Sequence, residues 1–415
     1  MADSAATTVL ADEATSPPRL ELRRASKVSL LILATVLILF ARRPDQFLHP
    51  TLWVEDTVIL REYVNHGWWS LLEPLNGYYV LISKIIAFIA FKTSFYWAPQ
   101  IELFLIVAFT CAVIVSVALS PTHLQWPLLC ALAVLIVPTD PEVFVVSVYA
   151  FWWAGILLLL ALFWRSDARL QWLRWLYIVI GGLSSPIIVV VAGLLAVRAV
   201  FERKPSEYFA AGLGVPVSLI QFVTIHGSVP LNTMKFGLGP FALTIQRFFG
   251  LFFIPKIGSL SSCVGFAVLF SLVFIAGSCR ARLNGYFFLL VLADTGICAL
   301  TLLRIPVDVI HPFFAGPRYF FYPFILLNWI MIWLASVSNS KTRFGFALAL
   351  LIALIMCAPH FARWHEPIDW QTAVSACDRS TQYELPAHFD GQSSTMWHAS
   401  MTGQECQKLL RESLF

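Results

Sequence analysis

Two neighbouring carboxylates, Glu55 and Asp56, stand in the run Pro50-Thr51-Leu52-Trp53-Val54-Glu55-Asp56-Thr57. A carboxylate can take the proton of an acceptor hydroxyl, and a pair can hold a divalent metal ion beside a leaving phosphate. Acids this close repel, which raises the pKa of one and leaves the other ionised. Asp56 is the expected general base, with Glu55 as its partner. A second acidic spot, Thr139-Asp140-Pro141-Glu142, offers Asp140 and Glu142 as acceptor or metal ligands; a Pro-containing turn with solvated acids explains the same residues. A third run holds Arg304, His311 and Gly316-Pro317-Arg318-Tyr319-Phe320. The Arg318 guanidinium can grip a phosphate bidentately while the aromatics line a hydrocarbon chain; an interfacial anchor is the alternative.

These groups need elements to carry them. Apolar Val58, Ile59 and Tyr63 around polar Arg61 and Glu62 predict a short interfacial helix over Thr57–Asn65, with Asp56 as N-cap and Gly67 just past its end. On that geometry Asp56 also has a purely structural use as a cap, with Glu55 facing water. The apolar run Asn76–Phe91 is read as a juxtamembrane helix with Asn76, Tyr79, Ser83 and Lys84 near one face. If it crossed, every later basic cluster would fall on the wrong side. Ser184-Ser185-Pro186 breaks a tight hairpin and is taken as structural.

Composition fixes the setting. Hydrophobic residues are 59% of the 415 and charged ones 13%, against roughly 25% charged in a soluble domain. Long apolar blocks predict an all-α polytopic membrane protein of about eleven transmembrane helices. The five Lys/Arg clusters, Arg23–Lys27, Arg165–Arg174, Arg198–Lys204, Arg280–Arg282 and Lys341–Arg343, are placed in the cytoplasm. The N-terminus is then cytoplasmic and the C-terminus outside, in an inner membrane. The expected division is a disordered leader (1–26), a membrane domain (27–360) with a first outer loop at about 44–98, and a small outer tail (361–415). The crossings after the first are expected at about 99–119, 125–138, 148–164, 171–184, 186–201, 207–226, 259–279, 285–303, 318–336 and 344–359, with outer loops at 226–258 and 304–317. Tryptophans such as Trp53, Trp68, Trp69, Trp97, Trp126, Trp164, Trp172 and Trp364 read as interfacial anchors. The first apolar block reads as a retained span without a cleavage site. A net charge of +4 belongs to loops and gives no surface for nucleic acid. CxxC, HExxH, Walker A and GxGxxG patterns are missing from any usable context, which removes metalloprotease, nucleotide-driven pump and dinucleotide enzyme. Cys377 and Cys406, in the polar tail, are the candidate disulfide.

The run Trp53-Val54-Glu55-Asp56, a short helix, then Glu73-Pro74-Leu75-Asn76-Gly77-Tyr78 heading an apolar helix, resembles bacterial membrane glycosyltransferases of the GT-C superfamily, which includes protein mannosyltransferases and aminoarabinose transferases. The GPRY-like run at Gly316–Tyr319 is similar to theirs as well. In those relatives a Gly commonly follows the acidic pair, where this chain has Thr57. The resemblance implies an inverting enzyme with an acidic base in its first outer loop. It also implies a polyprenyl-phosphate-linked sugar as donor, a glycan or lipid acceptor, contact with membrane lipid, and a divalent metal ion as an open cofactor question. Arg318, Tyr319, His311, Arg304, Lys84, Asn76 and Tyr78 become the donor-binding set. Two other classes compete. A transporter or flippase of lipid-linked or small substrates carries mid-span charges or inverted repeats; Asp294 and Glu102 are the candidates. A non-catalytic envelope-assembly protein explains the spans alone.

Overall fold

The computed structural model describes residues 18–228, 237–377, 382–388 and 396–414. In chain order the helices are α1 (Pro18–Arg42), α2 (Pro44–Leu48), α3 (Val54–His66), α4 (Leu81–Thr93), α5 (Ala98–Leu119), α6 (Pro127–Leu135), α7 (Ala150–Phe163), α8 (Gln171–Gly182), α9 (Ile188–Glu202) and α10 (Pro205–Ser228). There follow α11 (Leu238–Ile245), α12 (Ser259–Ser278), α13 (Gly285–Arg304), α14 (Phe321–Val337), α15 (Ser340–Cys357) and α16 (Trp370–Ser375). An antiparallel hairpin of β1 (Gln382–His388) and β2 (Met396–Thr402) precedes α17 (Gly403–Glu412). The chain is a mostly helical, multi-pass membrane protein. Seven helical segments among the described residues are long and apolar enough to cross a membrane: those of α1, α5, α10, α12, α13, α14 and α15.

The expected crossings at 125–138, 148–164, 171–184 and 186–201 are shorter helices, α6 to α9, of 9, 14, 12 and 15 residues. At 1.5 Å per residue these are about 13–23 Å long, against about 30 Å of hydrocarbon. Of these α7 is wholly enclosed, while α6, α8 and α9 pack on their neighbours along one side and leave Leu128, Trp172 and Phe201 exposed. Every residue of α7 is buried, as is α14 from Phe321 to Ala335. A Cβ on Gly155 would collide with the Tyr322 hydroxyl, so glycine on α7 makes room for that side chain of α14. By contrast α12 and α15 leave Phe270, Phe274, Phe344 and Ile355 exposed, the apolar outer faces that lipid covers.

Several charged residues lie where water cannot reach. Arg42 is fully buried and donates to the carbonyls of Leu135, Val137 and Thr139, just past the end of α6. Arg174 and Arg198, members of two of the basic clusters, are buried. Both grip Glu207, and they take the carbonyls of Ala161, Leu162 and Trp164 at the end of α7. The last carbonyls of a helix have no partner within it and carry partial negative charge, which is why guanidinium groups settle there.

Other expectations shift. Helix α1 begins at Pro18, inside the segment taken as a disordered leader; residues 1–17 lie outside the described residues. The expected loop 226–258 contains α11, and its residues 229–236 lie outside them too. Trp53 and Trp164 are core residues, while Trp68, Trp69, Trp97, Trp126, Trp172 and Trp364 are exposed. The tail is α/β, not all-α, and Cys377 and Cys406 form a disulfide within it. It docks on the first loop: His388 N donates to Leu52 O, Leu414 N to Lys92 O, and the buried Trp370 indole to Phe95 O.

Candidate active site

Helix α3 starts three residues before the expected position, because Trp53 is the last extended residue (φ −92°, ψ 160°). Asp56 is therefore the third residue of the helix and not its N-cap. Its Oδ2 accepts the Trp53 N–H at 2.9 Å, and its Oδ1 lies 3.0 Å from Ser147 Oγ. Asp56 is 1% exposed and does not line the cavity that Glu55, one residue earlier, reaches. The cavity, of about 380 Å³, is lined by Glu55, Asn76, Tyr78, Tyr149, Arg304 and Arg318 among others. The expected order of the acidic pair is thus reversed: Asp56 builds the helix start and Glu55 faces the chamber.

The Glu55 carboxylate has Oε1 at 3.4 Å from the Tyr149 hydroxyl and 3.8 Å from Arg318 Nη1. Its Oε2 has no protein partner. Burial pushes the Glu55 carboxyl above its ordinary value, and the Arg318 guanidinium pulls the other way, so proton affinity rises while a cation keeps the anion available. Arg318 Nη1 also donates to Glu142 Oε1 at 2.6 Å and to Tyr149 at 2.7 Å. The Tyr149 hydroxyl lies 3.0 Å from Glu142 Oε1, so its one proton chooses between two carboxylates. Glu142 is buried and paired, not a solvated turn acid.

Local sequence explains each placement. Asn76 (φ 50°) and Gly77 (φ 87°) are the centre of a two-residue turn closed by reciprocal bonds between Leu75 and Tyr78. Asn-Gly is the pair that tolerates two positive φ values in succession. Asn76 and Tyr79 consequently precede α4, which starts at Leu81, and do not share a helical face with Ser83 and Lys84. Burial raises the Tyr78 phenol to about 12, so it remains a donor at neutral pH. Gly316 (φ 65°) turns the chain into Pro317-Arg318-Tyr319. Val145, a β-branched residue at φ 60°, costs about 1–3 kcal/mol of backbone strain just before the 3₁₀ turn Ser147–Tyr149 that delivers Tyr149.

Arg304 ends α13 on the cavity wall. Among the described residues it meets no carboxylate at ion-pair distance, the one arginine of the chamber in that condition. The chamber adjoins an apolar cleft lined by Phe151, Trp152, Ile187, Ile225, Ile297 and Leu300. Tyr78, Arg304, Arg318 and Tyr319 border both. A polar chamber thus meets an apolar cleft at two guanidinium groups.

Three expected site residues are elsewhere. Lys84 is fully buried, and its Nζ donates to Ser70 O and Glu73 O at 2.7 Å beside Glu62, which ties the 3₁₀ segment Gly67–Leu72 to α4. Nδ1 of His311 accepts the Phe313 N–H and the ring packs on Phe314; burial lowers its pKa to about 4. Asp140 pairs with Arg363 at 2.8 Å, and Arg61 donates to Ser400 O, away from the acidic pair. Among the described residues no tail side chain lines the chamber, and the tail contacts the first loop through Leu52, Lys92 and Phe95. As for a metal ion, the cation between Glu55 and Glu142 is Arg318 itself. No three His, Cys, Asp or Glu side chains converge among the described residues. Tyr149 was missed in the sequence; its short SVY segment before an unbroken apolar helix is its only signal.

No family model, curated protein or solved structure matches the chain.

Proposed function

We propose that the protein is an integral-membrane, inverting glycosyltransferase that moves a sugar from a polyprenyl-phosphate donor to a glycan or lipid acceptor. The observation that supports this reading best is the junction at Arg304 and Arg318, where a polar chamber holding an under-coordinated carboxylate opens beside an apolar cleft. An amphipathic donor matches that division: sugar in the chamber, phosphate on the two guanidinium groups, isoprenoid in the cleft.

In this reading Glu55 takes the acceptor hydroxyl proton as the acceptor oxygen bonds to the sugar's anomeric carbon. The bond from that carbon to the phosphate oxygen breaks, and the polyprenyl phosphate leaves with the electron pair. Arg318, held in place by Glu142 and Tyr149, and the uncommitted Arg304 stabilise its charge. Tyr78 and Asn76 border the sugar, and Tyr319 the first part of the lipid. The reading keeps eleven crossings, with a cytoplasmic N-terminus, an outer tail and an inner-membrane location. The four short helices then cross packed against their neighbours, α7 wholly and the others on one side, where helix length is less constrained by lipid.

The test is transfer from a radiolabelled polyprenyl-phosphate sugar in membranes with matched protein levels. Glu55→Gln is expected to lower the rate about 10²–10⁴-fold. Asp56→Asn, which preserves the bond to Trp53 N–H, is expected to retain far more activity. A Glu55→Gln variant with parental rates would end the catalytic reading and favour the flippase or the envelope-assembly class.

A further inference from the structure

Below Glu55 the acidic network continues into the protein. The Ser147 hydroxyl is hydrogen-bonded on one side to Asp56 Oδ1 and on the other to Glu102 Oε2. Asp56, Ser147 and Glu102 are 1%, 4% and 4% exposed. One hydroxyl has one proton, so it can donate to only one of the two carboxylates. The other contact is a hydrogen bond only if that carboxyl carries a proton and donates it to Ser147 Oγ. Asp56 Oδ2 already accepts Trp53 N–H, and Glu102 Oε1 has no partner. We propose that Asp56 and Glu102 share a single proton through Ser147, and that this proton clamps α3 to α5 and so positions Glu55 in the chamber.

Charged groups on the packed elements are committed elsewhere. Glu55 faces Arg318 and Tyr149; Lys84 of α4 is held by Glu62 and the carbonyls of Ser70 and Glu73. Ser83 donates to Val148 O, and Arg43 beside α2 pairs with Asp45. Without a counter-cation, two buried anions on one hydroxyl repel and leave one oxygen facing a lone pair, so retaining a proton is the lower-energy state. Burial raises the Asp56 carboxyl, against the opposing bonds from Trp53 and Ser147. A carboxyl raised in the folded state stabilises the fold at lower pH, and that contribution is lost as pH rises through the raised folded-state value. Ser147 and Glu102 are accordingly positioning residues: they touch no substrate and act through α3.

The proposal adds a positioning device to the transfer reading, but its primary test needs no substrate. Purified parent protein is expected to show the carbonyl stretch of a protonated carboxylic acid in infrared difference spectra at neutral pH. Glu102→Gln and Asp56→Asn are each expected to remove that band. The thermal midpoint of the parent should fall as pH rises above the ordinary carboxyl range, and Glu102→Gln, neutral throughout, should flatten that fall. In the transfer assay Glu102→Gln should extend the alkaline limb of kcat and leave the donor KM unchanged. If Glu102→Gln does not fold, Asp56→Asn carries the same comparison. Identical acid bands and identical pH dependence of unfolding in parent and variants would overturn the shared proton, whatever Glu55→Gln does to transfer.

Discussion

Glu207 is held between Arg174 and Arg198 much as Glu142 is held by Arg318, yet the two clusters differ in what is left over. Around Glu207 both carboxylate oxygens are bonded, both arginines have negligible exposure, and their remaining donors largely fill the carbonyl end of α7. Nothing opens onto that cluster. Around Arg318 the guanidinium keeps donors free on a chamber, Glu55 keeps a free oxygen, and Arg304 stands unpaired among the described residues. The same residue types make a fastener where their hydrogen-bonding capacity is mostly spent within the protein, Arg198 Nε being the buried exception, and a candidate site where more of it is left beside a cavity. Counting arginines and carboxylates therefore tells little; counting their unused bonds tells more.

The sharpest way to break the comparison is to neutralise one carboxylate in each cluster. Glu55→Gln should lower transfer by about 10²–10⁴-fold with little change in unfolding. Glu207→Gln should do the reverse, since it leaves two buried guanidinium groups without an anion. The expected loss is about 3–5 kcal/mol of stability, read by thermal unfolding in detergent, with the surviving folded fraction turning over at the parental rate. Similar stability profiles for the two variants would erase the distinction.

A cross-link remote from both clusters calibrates the stability scale. The Cys377–Cys406 disulfide closes a separation of 29 residues, which the chain-entropy account values at about 3–4 kcal/mol. A Cys377→Ser, Cys406→Ser double variant should lose protease resistance in the tail first. Simultaneous proteolysis of tail and membrane helices would show that the tail is not a separate unit of stability. The smallest expected effect lies at the unpaired cation. Arg304→Ala should weaken donor binding by about tenfold or more, on the order of 1.5–3 kcal/mol, without touching stability, because no protein partner is orphaned. Arg318→Ala should in addition destabilise, since it strands Glu142; equal stability of these two variants would mean that both arginines are alike.

The acidic run at Glu55-Asp56, the GPRY segment and the apolar blocks were legible as local patterns, whereas the Asn76-Gly77 turn was read as the start of a helix. Helical periodicity and turn chemistry are short-range properties, so α3, its Gly67 stop and the tail cysteine pair follow from nearby residues. Which carboxylate faces the chamber did not. Moving the start of α3 by three residues rotates the acidic pair, and that start depends on Trp53 packing beside Tyr149 and His365. Lys84, His311 and Asp140 looked available because their partners, Glu62, Phe313 and Arg363, are assigned by packing and not by periodicity. The charge pattern likewise gave Arg174 and Arg198 only a side of the membrane, and the approach of Glu207 and the end of α7 is what buries them at tolerable cost. Composition by itself determined that the chain is a helical membrane protein, because apolar transfer is a sum over residues. Which polar groups remain unsatisfied is a property of pairs, and only the tertiary structure decided it.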